Sequence, residues 1–373
     1  MKVLHFIRLV CLGFMLAACH AGGLGLPGQV EPTSPPPTVT ATVVPTLTPL
    51  PTRTRTPVPT VAATPSPAAA APANQGALLS AENITQAQAT TLPLPLTPGG
   101  IYWPGGARLL LLGEGILQSI NLAPLGVGAV QTLENNRILS LSPDGSTTLL
   151  QRGDGGVHIL NRLDGSDMPV KFAAAYFGVY AQDGKTIALG NVDQFAVTLL
   201  DAATGKPIKT LTGFETAAPV YAALPGPGGK TMVWYARATV QVQDVASEKM
   251  LVKLSFQDFV SGLTYSPDGQ WLLVAVGGGL LQAVHIASAA STETIDLALE
   301  PGVQALSPVF SPDGRLVAAG VGSDVVVWET TAWKQVARLN QHTGQVRLVD
   351  FSPDGKVLAS IDDQNLLAAW GVP

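Results

Sequence analysis

Asp350-Phe-Ser-Pro-Asp-Gly-Lys-Val-Leu-Ala-Ser360, followed by Leu366-Leu-Ala-Ala-Trp370, is the stretch whose reading decides the fold. An apolar run enters a Ser-Pro-Asp-Gly turn, a second apolar run leaves it, and a third ends on a bulky residue. The turn recurs at Ser142 to Gly145, Ser266 to Gly269 and Ser311 to Gly314, with degenerate copies at Trp103-Pro-Gly-Gly106, Ala181-Gln-Asp-Gly184 and Gly226-Pro-Gly-Gly229. Its third residues, Gly105, Asp144, Asp183, Gly228, Asp268, Asp313 and Asp354, step by 39, 39, 45, 40, 45 and 41 residues. A period near 40 is the mark of a repeat architecture, in which one supersecondary unit is stacked many times.

The turn has a physical basis. Pro presets φ for the second position, Asp tolerates the bridge region at the third, and Gly supplies a left-handed residue at the fourth, so the flanking runs become a hairpin. Gly262-Leu-Thr-Tyr265 before one turn and Trp271-Leu-Leu-Val-Ala-Val276 after it read as strands. A second register, at the end of the third run of each unit, falls at Ile120-Asn121, Leu160-Asn161, Leu200-Asp201, Gln243-Asp244, His285-Ile286, Trp328-Glu329 and Trp370-Gly371. Two unrelated features advancing together seven times predict seven copies of one β unit.

Phe310-Ser-Pro-Asp-Gly-Arg-Leu-Val-Ala-Ala319 with Val325-Val-Val-Trp-Glu329, and the opening stretch with Leu366 to Trp370, resemble blades of the WD-repeat family. The resemblance runs from about Leu78 to Pro373 and is most specific in the last two units. It implies an all-β, seven-bladed propeller of four-stranded antiparallel blades. Within it Trp328, Trp370, Asp144, Asp268, Asp313 and Asp354 are expected to be structural blade residues. Only Trp328 and Trp370 keep the family Trp, and only Asp201 and Asp244 the Asp that follows it. The family's hydrogen-bonded tetrad of His, Ser, Trp and Asp is expected to be partial, with His342, Ser360 and Trp370 present but Gln364 at the Asp position and Asp363 beside it. Because the chain ends just past the third strand of the last unit, the early segment Ile84 to Leu94, after the cap or turn Ser80-Ala-Glu-Asn83, is expected to supply the missing outer strand. Closure of this kind leaves only short, protected edges.

The N-terminal residues read differently. Lys2 and Arg8, the apolar stretch Leu9 to Ala18 and the small residues ahead of Cys19 have the layout of an export signal over residues 1–18. The apolar run is shorter than the roughly 20 residues a membrane-spanning helix needs. Leu16-Ala17-Ala18-Cys19 resembles the lipobox of bacterial lipoproteins, which implies acylation of Cys19 and an anchor on the outer face of a membrane, at the cell surface or in the periplasm. Acyl chains contribute about 0.8 kcal/mol per buried methylene, so several on one Cys anchor durably. The remaining Cys, Cys11, lies in the segment to be removed, which leaves no thiol for a disulfide. Residues 19–77 are expected to be a disordered tether. Between Glu31 and Ala73 stand 12 Pro and 11 Thr, with Glu31, Arg53 and Arg55 as the only charges. Such a chain favours extended polyproline-like states at about 3.1 Å per residue, an upper reach of roughly 130 Å.

Composition narrows the chemistry. With 21 Lys and Arg against 26 Asp and Glu, loss of Lys2 and Arg8 leaves the mature chain near −7. That balance argues against nucleic acid and against electrostatic adhesion to anionic lipid. Starts of the innermost strands, where propeller enzymes usually gather ligands, are expected at Gly100-Ile101, Asn136-Arg137, Tyr176-Phe177, Pro219-Val220, Phe259-Val260, Gln304-Ala305 and Gln345-Val346. Asp258 is the one carboxylate near them, which offers no cluster for calcium or paired acid-base work. His158, His285 and His342 fall on different units and do not converge on a metal. Gly277-Gly-Gly279 and Gly153-Asp-Gly-Gly156 lie between strands with no helix behind them, as turns and not phosphate loops. No catalytic residue, metal or cofactor is expected.

The surface remains. Tyr176, Phe177, Phe214, Glu215, Asp258, Phe259 and His342 lie on loops entering the inner strands, and aromatics among polar groups on loops are common binding anchors. Two alternatives stand beside this: Phe214 and Phe259 fold down to plug the channel, and His342 is a structural blade residue. The expected function is a monomeric, membrane-anchored scaffold for a protein, peptide or glycan. A lipoprotein that assembles a membrane machine, and a propeller hydrolase or cofactor enzyme, are the competing readings.

Overall fold

The computed structural model describes residues 77–104, 108–113, 115–132, 136–173, 175–191, 196–212, 222–286, 293–297, 299 and 302–372. Cys19, the export signal and the Pro/Thr-rich segment lie outside these residues, as do Phe214 and Glu215. All described residues belong to one compact unit.

They form seven four-stranded antiparallel sheets. In the first six, strand order follows chain order, from an inner strand outward. The inner strands are Gly100–Tyr102, Arg137–Leu141, Phe177–Tyr180, Ala222–Pro225, Val260–Tyr265 and Ala305–Phe310 in blades 1 to 6, and Val346–Phe351 in blade 7. Blade 7 takes its outer strand from the other end of the domain: Gln88–Pro93 pairs with Leu366–Gly371 in the register Gln88 to Gly371 through Pro93 to Leu366. The closing strand expected within residues 84–94 is therefore present but shorter. Ile84–Gln86 forms a 3-10 turn instead, and fully buried Ile84 packs into the apolar layer between blades 6 and 7.

Burial explains why each strand reads as it does. Second strands such as Leu316–Val321 are buried along their whole length, because both faces are covered by neighbouring blades. Outer strands such as Lys334–Leu339 expose alternate residues and carry the charges. Seven apolar clusters fill the seven seams between successive blades, and one of them, with Trp103, Leu109, Ile361 and Leu367, joins blade 7 to blade 1. The sheets thus close into a β-propeller.

The Ser-Pro-Asp-Gly turns repeat one hydrogen-bond pattern. Ser142 Oγ donates to Asp144 Oδ1 at 2.6 Å and accepts the Thr147 N–H at 2.9 Å, while Asp144 Oδ1 accepts the Ser146 N–H at 3.0 Å. Ser266 with Asp268, Ser311 with Asp313 and Ser352 with Asp354 do the same. The glycine that follows takes a φ of +67° to +72° in all four, a left-handed value that explains why Gly stands there. Blade 3 keeps the backbone turn, Gly184 N–H to Ala181 O at 2.9 Å, without the Ser hydroxyl.

Two faces result. Each inner strand begins at what we term the crossover face, where the chain arrives from the previous blade, and ends at the turn face, where the Ser-Pro-Asp-Gly turns lie. Inner strands of all seven blades line a central channel of about 2280 Å³.

Candidate functional site

The most developed polar constellation lies in blade 7. His342 Nε2 is 2.7 Å from Ser360 Oγ, Trp370 Nε1 donates to the same Oγ at 2.9 Å, and His342 Nδ1 is 3.2 Å from Asp362 Oδ2. The partners assign the tautomer: Nδ1–H donates to the carboxylate, and Nε2 accepts the Ser360 hydroxyl. Both His342 and Asp362 side chains are fully buried. Asp362 Oδ1 accepts two further N–H groups, from Gln364 at 3.0 Å and Leu366 at 2.9 Å. Burial pushes the His342 pKa down, and the Asp362 hydrogen bond and charge offset only part of that, so the ring is neutral at neutral pH.

This corrects the expectation of a partial tetrad. The carboxylate is Asp362, the last residue of the second strand, and not the turn residues Gln364 or Asp363. Those two clasp the preceding crossover instead: Asp363 Oδ1 accepts the Gln345 N–H at 3.0 Å, and Thr343 Oγ1 donates to Gln364 Oε1 at 3.1 Å. In a run of two adjacent aspartates, only the end of the strand distinguishes them.

The WD domain, G-beta repeat family matches residues 333–367, a span that holds His342, Ser360 and Asp362. The chain is a seven-bladed β-propeller related to the WD-repeat superfamily. The rat serine-threonine kinase receptor-associated protein is 28% identical to the propeller chain over 132 residues, 35% of this chain and 37% of that protein. A WD repeat-containing protein of Synechocystis is 28% identical over 121 residues, 32% of this chain and 34% of that one. The chain thus matches about a third of the length of these relatives. Hydrazine synthase of Kuenenia stuttgartiensis shares the fold, with a TM-score of 0.56 at 16% identity, over 74% of this chain and 96% of that one.

The propeller distributes the surface candidates unevenly. Phe177 is 1% exposed and belongs to the seam between blades 3 and 4, where a methyl group on Gly190 would stand 2.1 Å from its ring. It is core and not a binding anchor, because its ring is held in the apolar layer between the two blades. His342 is likewise removed from the accessible face by the tetrad. Tyr176 is half-buried and packs against the same seam as Phe177. Asp258 is exposed and accepts the Phe259 N–H at 2.8 Å. Half-buried Phe259 and Asp258 lie over Gly277, where a Cβ would stand 2.8 Å from the Phe259 ring and 2.9 Å from the Asp258 carboxyl carbon. The Gly277-Gly-Gly279 turn of blade 5 is therefore a seat for this pair. Trp328 is buried in the seam between blades 5 and 6.

Charged residues that the sequence did not mark as facing a common axis line the channel. Arg137, Arg152 and Arg347 stand at its crossover end, and Asp183 and Asp350 at its turn end. Trp103 Nε1 donates to Asp350 Oδ2 at 3.1 Å, and burial pushes the Asp350 carboxyl up to about 7 despite that bond. For Arg137, Arg347 and Asp350 the signal was a polar residue inside an inner-strand pattern. It could be used only once the inner strands were known to face a channel.

Among the described residues no group of three or more His, Cys, Asp or Glu could hold a metal ion, and no helix is long and apolar enough to cross a membrane. The three described histidines have separate partners: His158 Nδ1 is 2.9 Å from Asp167 Oδ1, His285 packs at a tilt against Trp271 with centroids 4.7 Å apart, and His342 is in the tetrad.

Proposed function

We propose that this propeller is a non-enzymatic interaction scaffold, exported and held on the outer face of a bacterial membrane by acylated Cys19, with residues 19–77 as the tether. Its partner is a protein or peptide, met on the crossover face. The observation that carries the reading is the seating of exposed Asp258 and half-buried Phe259 on Gly277, within a ring whose seven apolar seams hold the loop bases fixed. A rigid base lowers the ordering cost that binding must offset. The name of the rat relative, a receptor-associated protein, supports a partner-binding role. The layout Leu16-Ala17-Ala18-Cys19 supports the anchor.

Two measurements test the reading. Fractionation of cells making wild type and Cys19→Ala should move the protein from membrane to soluble fractions in the variant, and membrane retention of the variant would refute the anchor. Crosslinking on intact cells should retrieve a partner from wild type and at least fivefold less from the double variant Asp258→Ala/Phe259→Ala at unchanged melting temperature. Equal retrieval would remove this pair from the interface.

A further inference from the structure

Arg347 is 8% exposed and lines the channel, and its Nε is buried without a hydrogen-bond partner. Among the described residues its Nη2 donates only to the Asp362 carbonyl at 3.3 Å and to Asn365 Oδ1 at 3.4 Å. No carboxylate pairs with it among the described residues. A guanidinium removed from water is normally matched by a carboxylate or phosphate in a two-pronged geometry, so this one is an exception that calls for a counter-ion.

The backbone places it deliberately. Pairing of the first two strands of blade 7 shifts between Val346 and Leu348, which leaves Arg347 as the extra residue of a bulge. Bulges re-aim the side chain they carry. Blade 2 has the same shift around Leu139 and blade 5 around Ser261, both also buried. The position therefore accepts a neutral side chain, and nothing in the blade itself demands a cation there.

Polarisation of the channel is a second observation. Arg137 begins the inner strand of blade 2, Arg152 follows its second strand, and Arg347 is the second residue of the inner strand of blade 7, so all three stand at the crossover end. Asp183 and Asp350, the lining carboxylates, stand at the turn end. Arg152 is already paired with Asp167. Among the described residues Arg137 donates to the backbone carbonyls of Ala175 at 3.3 Å and Tyr176 at 2.7 Å. Among the described lining residues, guanidinium groups thus stand at the crossover end of the channel and carboxylates at its turn end.

We infer that the crossover mouth of the channel is a binding site for an anionic oxo-group, a carboxylate or a phosphate, held chiefly by Arg347 and assisted by Arg137. The inference deepens the scaffold reading by naming the group a partner inserts, and either can fail without the other.

Isothermal titration of the full-length protein with a capped triglutamate peptide, a capped triglutamine peptide and inorganic phosphate is the test. Triglutamate should bind and triglutamine should not. Arg347→Leu, which copies the residue of blade 2 at the matching bulge, should weaken triglutamate at least tenfold while the melting temperature holds. Arg137→Gln should weaken it about threefold, and it decides the matter alone if Arg347→Leu does not fold. Phosphate binding without triglutamate binding, lost in the same variants, would support the site and assign it to phosphorylated ligands. Binding of neither anion, or binding unchanged in both variants, would overturn the inference. Cell-surface crosslinking of Arg347→Leu separates the two proposals: a partner retrieved at the wild-type level leaves the scaffold standing and removes the channel from its recognition.

Discussion

Deletion of residues 78–95 probes the feature on which the ring depends. It removes the strand Gln88–Pro93 and three buried apolar side chains, Leu79, Ile84 and Leu94. At about 1.5–3 kcal/mol per fully buried side chain, the apolar part alone is roughly 5–9 kcal/mol. Six residue pairs of sheet are lost in addition, and the strand Leu366–Gly371 becomes a bare edge. Domains of this kind are stable by about 5–15 kcal/mol in total, so the loss consumes most or all of the margin. The expected result in calorimetry is disappearance of the single cooperative transition, with soluble aggregates in size-exclusion chromatography from the exposed edge. A synthetic peptide of residues 78–95 added in trans should restore a concentration-dependent transition, because a ligand that binds only the folded state stabilises it by mass action. A truncated protein that melts cooperatively within a few degrees of wild type would refute the reasoning, since the ring would then close without this segment.

Three further outcomes follow from the same structure. Ser360→Ala leaves the Trp370 N–H and His342 Nε2 without their partner and should cost about 2–6 kcal/mol at about 1–3 per orphaned group; in denaturant titration Asp363→Asn should cost less than about 1 kcal/mol, and the reverse ranking would return the tetrad to the turn residues. Asp350→Asn should stabilise the protein at pH 8 and have little effect at pH 4. The folded pKa of Asp350 is raised to about 7, so the folded state holds a proton that the unfolded state has released. Its stability contribution is present below about pH 4 and is lost as pH rises to about 7, by about 4 kcal/mol at most; equal melting shifts for the variant at both pH values would contradict the burial of this carboxyl. Gly190→Ala sets a methyl against the Phe177 ring and should destabilise by about 1–3 kcal/mol; a neutral result in thermal melts would place Phe177 outside the seam.

The recurrence of Ser-Pro-Asp-Gly carried most of the fold. The turn is a local device, made of residues within five positions of one another, so its chemistry is visible in any one copy and its count is visible in the spacing. The identity of the closing segment was legible for a similar reason: a unit with three strands requires a fourth. Its exact extent was not, because Ile84 reads as a strand residue by pattern, and only the seam between blades 6 and 7 turns it inward. Phe177 was misread as surface for the same cause, whereas His342 is the structural blade residue that its place in the last unit suggested. An aromatic at the start of an inner strand looks alike whether it faces solvent or the next blade. The tetrad carboxylate was off by one strand end, and Arg152 and Arg347 were missed because no linear pattern marks a position as facing an axis.

What the sequence by itself determined is therefore what short-range chemistry repeats: seven units, their turns, their strand runs and the ring they form. Only the tertiary structure decided which residues share a seam, which are withdrawn from the surface, and how charge is sorted along the channel. Those properties depend on pairs such as Trp103 with Asp350, 247 positions apart, whose meeting is set by ring closure and not by anything either neighbourhood contains.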